Sequence, residues 1–172
     1  NMPDCIPTRY EVEMNADERK LYDMLKQDLL IPLKDGDIDA ANAASLTGKL
    51  LQMSNGAVYD ENGKARILHD HKLEALEDII DECMEQGKKV VVFARFVPEI
   101  DSIAKMLQKK KIGYALIKGD ITDRAEQVEA FQNDPDTKVF IGQLQTTGMG
   151  LTLTAGTVAV YNYKTGEILC MV

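Results

Sequence analysis

Thr146 and Thr147, followed by Gly148, Met149 and Gly150, are the residues of this chain whose types and spacing most directly suggest chemistry. The two glycines remove side chains where backbone N–H groups could approach an anion, and the two hydroxyls add donors beside them. They lie in FIGQLQTTGMGLTLTAG, Phe140 to Gly156, where a short apolar strand meets a Thr/Gly loop before apolar residues resume. The implied order is strand, phosphate-sized loop and helix start. The Gly-x-Gly element lacks the third glycine of a dinucleotide fingerprint, and taken alone it reads better as a plain structural turn. The order of the elements upstream reverses that preference.

Lys88 to Ala94 (KKVVVFA) has the continuous Val/Phe character of a buried parallel strand, bounded by Gly87 and Pro98. From Pro98, the apolar residues Ile100, Ile103, Ala104 and Leu107 recur at helical spacing, with Gly113 placed to stop the chain. Tyr114 to Ile117 predicts a second strand, Lys118-Gly119-Asp120 a turn, and Asp123 to Gln132 a second helix. Lys138 to Ile141 predicts a third strand and Thr157 to Tyr161 a fourth. This alternation requires right-handed crossovers and a mostly parallel, doubly wound α/β sheet in three layers.

Ligands of such sheets sit at the carboxyl ends of the strands. Arg95 and Phe96 follow the first strand, Lys118, Gly119 and Asp120 the second, and Gln143 to Gly150 the third. All three candidate loops should therefore emerge on one edge.

KVVVFARFVPEIDSIAKML and ALIKGDITDRAEQVEAFQNDPDTKVFIGQLQTTGMGLTLTAG resemble the second, C-terminal RecA-like motor lobe of superfamily 2 helicase-like ATPases. The similarity is to the Swi/Snf-related branch of DNA translocases, in a bacterial or phage form. Phe93 to Phe96 stand where that family has its fourth motif, Lys118 to Asp120 where it has a backbone-contacting turn, and Gln143 to Ala155 where it has its fifth. The resemblance covers residues 88–162 and extends more loosely upstream, where Pro7 to Leu30, Leu46 to Gly56 and His71 to Glu85 are similar to a helical lead-in. It implies nucleic-acid contacts at Arg95, Phe96, Lys118, Gly119, Asp120, Gln143, Thr146 and Thr147. It implies nucleotide or inter-lobe contacts at Gly148, Met149, Gly150 and Leu151. The expected partners are the DNA backbone, without sequence preference, and the first motor lobe of the same parent chain. ATP and Mg2+ are the cofactors expected in the full-length protein, and none on this chain alone.

Motors of this kind need a glycine-rich loop with lysine and an acidic pair for magnesium, both on the first lobe. Gly48-Lys49 comes nearest here, but Leu50 replaces the Ser/Thr and Ala43 the first loop glycine, so these residues read as ordinary helix. The arginine-containing sixth motif should follow the fourth strand, yet Asn162 to Val172 holds no arginine. The expectation is a fragment of an ATP hydrolase, truncated before that motif and inactive alone, with no catalytic residue assigned.

Its 172 residues can bury one core, and 45% apolar residues with no long apolar run exclude a membrane helix. Asn1 ahead of Met2 reads as a remnant of tag removal, and no signal peptide is visible, so a cytoplasmic location is expected. Cys5, Cys83 and Cys170 are unclustered, which favours free thiols over disulfides or zinc. A net charge of −8 argues at first against nucleic acid. From Lys88 to Lys118, however, eight basic residues stand against only two acidic ones, so a basic face could track phosphates on an acidic body. Lys109-Lys110-Lys111 also suits a solvated helix C-terminus, which is the preferred reading of those three.

Residues 1–70 are assigned to the helical lead-in and 71–172 to the RecA-like lobe. Asn15 and Glu18 can form a capping box, followed by a stripe of Leu21, Tyr22, Leu25 and Leu29. Leu46, Leu50 and Met53 predict a second helix ending at Asn55-Gly56, Asp60 to Lys64 a turn, and Leu73, Leu76, Ile79, Ile80 and Cys83 a third helix. Residues 31–44 are expected to be a flexible link. His69-Asp70-His71 has no further His or nearby Cys, so structural imidazoles are preferred to a metal site. Two function classes stand: half of a DNA-dependent motor, or a non-motor module binding a phosphorylated ligand or a protein through the same scaffold. Fold alone does not separate them.

Overall fold

Unbroken runs of Val, Ile and Phe need burial on both faces of a sheet, and the strands Val90–Ala94 and Thr137–Gln143 obtain it. In the computed structural model, residues 7–34, 40–59, 62–119, 123–147, 157–161 and 168–171 are described. They divide into two compact units, Asn1–Glu11 with Leu73–Val172, and Val12–Lys72.

The first unit holds a sheet of six described strands: β1 (Pro7–Tyr10), β4 (Val90–Ala94), β5 (Gly113–Ile117), β6 (Thr137–Gln143), β7 (Thr157–Tyr161) and β8 (Ile168–Met171). Their order is β1-β8-β7-β4-β6-β5. The four strands expected from the sequence form its parallel centre, with β4 between β6 and β7 and β5 outside β6. Its longer described helices are α3 (His71–Glu85), α4 (Val97–Lys110) and α5 (Arg124–Asn133). The chain steps from β4 across β6 to β5 through α4, then back to β6 through α5. Right-handed crossovers in opposite directions put α4 and α5 on opposite faces, which makes the sheet doubly wound. Phe131 of α5 packs with Val91, Ala115, Ile117 and Phe140 in one core cluster. Leu76, Ile79 and Ile80 of α3 and Ile100, Ile103 and Leu107 of α4 are buried as well, in keeping with their helical stripes.

α4 ends differently from the expectation. Lys111, not Gly113, takes the left-handed conformation with φ 58°, and the Ile112 N–H reaches back to the Leu107 carbonyl at 3.0 Å in a Schellman closure. Gly113 serves close packing instead: a Cβ there would lie 2.3 Å from the Asp136 carbonyl oxygen.

β1 and β8 are the larger correction. Pro7–Tyr10 does not begin a helical lead-in but pairs antiparallel with β8, which pairs antiparallel with β7. Four-residue segments carry too little periodicity to reveal such pairing, which is fixed by a partner about 160 residues away in sequence.

The second unit contains α1 (Ala16–Lys34), α2 (Ala40–Ser54) and a hairpin of β2 (Ala57–Tyr59) with β3 (Ala65–Ile67). The capping box forms at α1: the Asn15 N–H donates to Glu18 Oε2 at 2.8 Å, and the Glu18 N–H to Asn15 Oδ1 at 2.9 Å. Such a cap contributes about 1 kcal/mol. Residues 31–34 and 40–44, expected as part of a flexible link, are helical. The hairpin strands around Asp60 to Lys64, a segment expected only as a turn, were too short for a strand pattern to register. Gly48 and Lys49 are helical as expected, and Lys49 Nζ donates to the Tyr59 carbonyl. Gly56 sits at φ 89°, where a Cβ would lie 2.3 Å from the His69 carbonyl oxygen. The His69 ring meets the Met53 carbonyl through Nε2 at 3.1 Å, and His71 Nε2 lies 2.8 Å from Glu18 Oε2.

Candidate functional site

β4, β5 and β6 are parallel neighbours, so their carboxyl ends lie on one edge. Arg95 and Phe96 leave β4 there, Lys118 and Gly119 leave β5, and a single helical turn, α6 (Leu144–Thr147), leaves β6. The expectation that Arg95, Gly119 and Thr147 share an edge is met. β6 runs two residues beyond the predicted Ile141, so Gln143 is the last strand residue, registered against Ala94.

Gln143 is what ties the edge together. Its Oε1 accepts from the Gly119 N–H at 3.0 Å and from Thr146 Oγ1 at 3.3 Å. Its Nε2 donates a longer bond to the Arg95 carbonyl at 3.5 Å. The Gly119 N–H is only a donor, so the amide oxygen must face it, which fixes the orientation of the group. One side chain thereby touches all three loops.

Thr147 is buried, and its hydroxyl donates to the Gln143 carbonyl at 2.7 Å. A hydroxyl has a single hydrogen, so this donor is committed within the protein. Below it Gly142 has no room for a side chain, since a Cβ would lie 2.8 Å from the Phe93 ring and 3.1 Å from Thr147 Cγ2. At Gly119 a Cβ would meet Gln143 Oε1 at 3.7 Å, an ordinary contact.

The Arg95 guanidinium carbon lies 5.5 Å from the centre of the Phe96 ring, within cation–π range. Phe96 caps α4 with extended backbone, its carbonyl accepting the Ile100 N–H at 3.1 Å. Lys118 Nζ is 3.2 Å from Asp101 Oδ1, so α4 draws this lysine towards itself. Lys110 is held by Glu77 and Asp81, and those hydrogen bonds, Asp81 first, raise its pKa above the ordinary lysine value. Asp120, Gly148, Met149, Gly150 and Leu151 lie outside the described residues. The structure thus brings together Arg95, Phe96, Lys118, Gly119, Gln143, Thr146 and Thr147 from the sequence-based set. The linking role of Gln143 had no local signal, because it depends on which strands become neighbours.

A doubly wound parallel sheet with three loops drawn together at its carboxyl edge is the architecture of a RecA-like motor lobe. The chain belongs to the helicase conserved C-terminal domain family, whose profile matches residues 71–169. Within it, the chain is the C-terminal lobe type of superfamily 2 helicase-like ATPases of the Swi/Snf-related branch. It is 28% identical over 163 residues to an uncharacterised ATP-dependent helicase of Mycoplasma genitalium, covering 93% of this chain and 16% of that protein. It is 29% identical over 114 residues to a SWI/SNF-related, matrix-associated, actin-dependent regulator of chromatin of Mus musculus, covering 60% of this chain and 11% of that protein. The chain therefore spans a small part of the length of these relatives. Its fold matches the Sulfolobus solfataricus SWI2/SNF2 ATPase core in complex with dsDNA, with a TM-score of 0.72 and 20% identity over 90% of this chain and 34% of that one.

Proposed function

We propose that this chain is the DNA-facing, lobe-closing half of an ATP-dependent translocase or remodeller, working in the cytoplasm with a first motor lobe from the same parent chain. The observation that carries the proposal is the convergence of the Arg95, Gly119 and Thr146 loops on Gln143 at one sheet edge. In this reading Arg95 and Lys118 approach backbone phosphates, with Phe96, Asp120, Thr146 and Thr147 shaping the loops that present them. The solved relative named as bound to dsDNA supports the partner class.

ATP and Mg2+ belong to the whole protein. Among the described residues no group of three His, Cys, Asp or Glu could hold a metal ion. Gly148 to Leu151 are proposed to face the nucleotide and the other lobe, while the phosphate-cradling lysine and magnesium carboxylates come from the first lobe. The 172-residue chain then holds too few of the required groups to turn over ATP.

Titrating labelled duplex with the chain at low and moderate salt tests the DNA contact. Binding is expected to be weak, tolerant of sequence and lowered by salt, as counterion release requires. Tight binding indifferent to salt would contradict phosphate contact.

A further inference from the structure

We infer that Gln143 is a positioning residue: a clasp whose side-chain amide holds the loops after β4, β5 and β6 in one arrangement. This deepens the proposed function and rests on it for its consequence, though the clasp itself stands on geometry alone. The Gln143 amide oxygen already takes two donors, the Gly119 N–H at 3.0 Å and Thr146 Oγ1 at 3.3 Å. Its amide nitrogen is directed to the Arg95 carbonyl at 3.5 Å. An amide oxygen has two lone pairs, and these two partners take both of them, so the acceptor side of the amide carries the clasp.

The base of the clasp is rigid. Gln143 ends β6 in register with Ala94, its carbonyl accepts the Thr147 hydroxyl at 2.7 Å, and the preceding Gly142 is packed under Phe93 and Thr147. A side chain projecting from so fixed a backbone transmits displacement instead of absorbing it. Movement of the Gly119 turn towards a phosphate would pull on the same group that holds the Arg95 carbonyl and Thr146. The three loops should therefore engage a strand as one unit. Of the three contacts the one to Arg95 is the longest and the first to yield.

The test uses the 172-residue chain with Gln143→Met, which keeps length and removes both donor and acceptor, and Gln143→Glu, which keeps the acceptor. Amide hydrogen exchange is read at Gly119, with Phe140 and Ile141 in the core of β6 as internal standards. Gln143→Met should speed exchange at Gly119 about tenfold, the scale of one lost hydrogen bond, with the β6 amides unchanged. Gln143→Glu should keep Gly119 protected, whereas a merely volumetric role would leave Gly119 protected in Gln143→Met as well. Duplex affinity at low salt should fall severalfold in Gln143→Met with its salt dependence unaltered, because no cation is removed. Unchanged Gly119 exchange in folded Gln143→Met, or no rescue by Gln143→Glu, would overturn the clasp. If exchange responds as expected but no form of the chain binds duplex, the clasp stands and the DNA reading fails.

Discussion

Gly142 is where a single atom would disturb the site. A methyl group there would stand 2.8 Å from the Phe93 ring and 3.1 Å from Thr147 Cγ2, and Phe93 packs against the Val91, Ile117 and Phe140 cluster. Gly142→Ala is therefore expected to cost roughly 1–3 kcal/mol through overpacking and to tilt Thr147 away from the Gln143 carbonyl. Denaturant unfolding should show a lower midpoint with an unchanged slope; a variant as stable as the parent would mean the ring yields freely. Gly142 and Gln143 were both present in the strand-to-loop motif, but only Gln143 was singled out, and then as a ligand contact. What each does depends on a Phe93 ring and a Gly119 amide brought in by neighbouring strands, which no local pattern displays.

At the scale of elements, the imidazoles of His69 and His71 at the start of α3 set a pH dependence for the Val12–Lys72 unit. His69 stacks on His71 with ring centres 5.2 Å apart and also faces Glu18 and Lys72. Burial depresses the His69 pKa, and the opposing influences of Glu18 and the Met53 carbonyl do not fully offset it. The unfolded chain then binds this proton first, so its contribution to stability falls as pH drops below the ordinary histidine value of about 6.5 towards the folded value. For Glu18, desolvation acts to raise the pKa, but the Asn15 N–H and His71 outweigh it and the net shift is downward. That contribution is present above the ordinary glutamate value of about 4.3 and is lost as pH falls through the depressed one. Thermal unfolding at pH 7.5 and 5.5 should show a drop that is smaller in His69→Gln, which can still donate to the Met53 carbonyl. An equal drop in both would remove His69 as its source. The capping box and the α3 and α4 stripes were legible because they are written within four residues of one another. The β1–β8 and β2–β3 pairings were not, because short antiparallel strands owe their existence to a partner. The end of α4 was misread because a lysine, not the nearby glycine, took the left-handed position.

For the whole molecule, charge decides behaviour. Of the eight basic residues from Lys88 to Lys118, Lys110 and Lys118 are engaged by carboxylates and Lys89 by the Phe131 and Asp134 carbonyls. These partners offset part of the basic charge, on a chain with net charge −8. This is why the isolated lobe should hold DNA weakly, while a second lobe closing over the same edge could complete the grip. The central claim is that this chain is one half of a two-lobe motor, and phosphate release tests it most directly. The 172-residue chain, the whole parent protein and its Gly148→Val variant are to be compared with and without duplex DNA. The account predicts no turnover by the chain alone, DNA-stimulated turnover by the whole protein, and its loss in the variant, where a branched side chain stands where backbone should approach phosphate. DNA-stimulated turnover by the chain alone, or a variant as active as its parent, would contradict it.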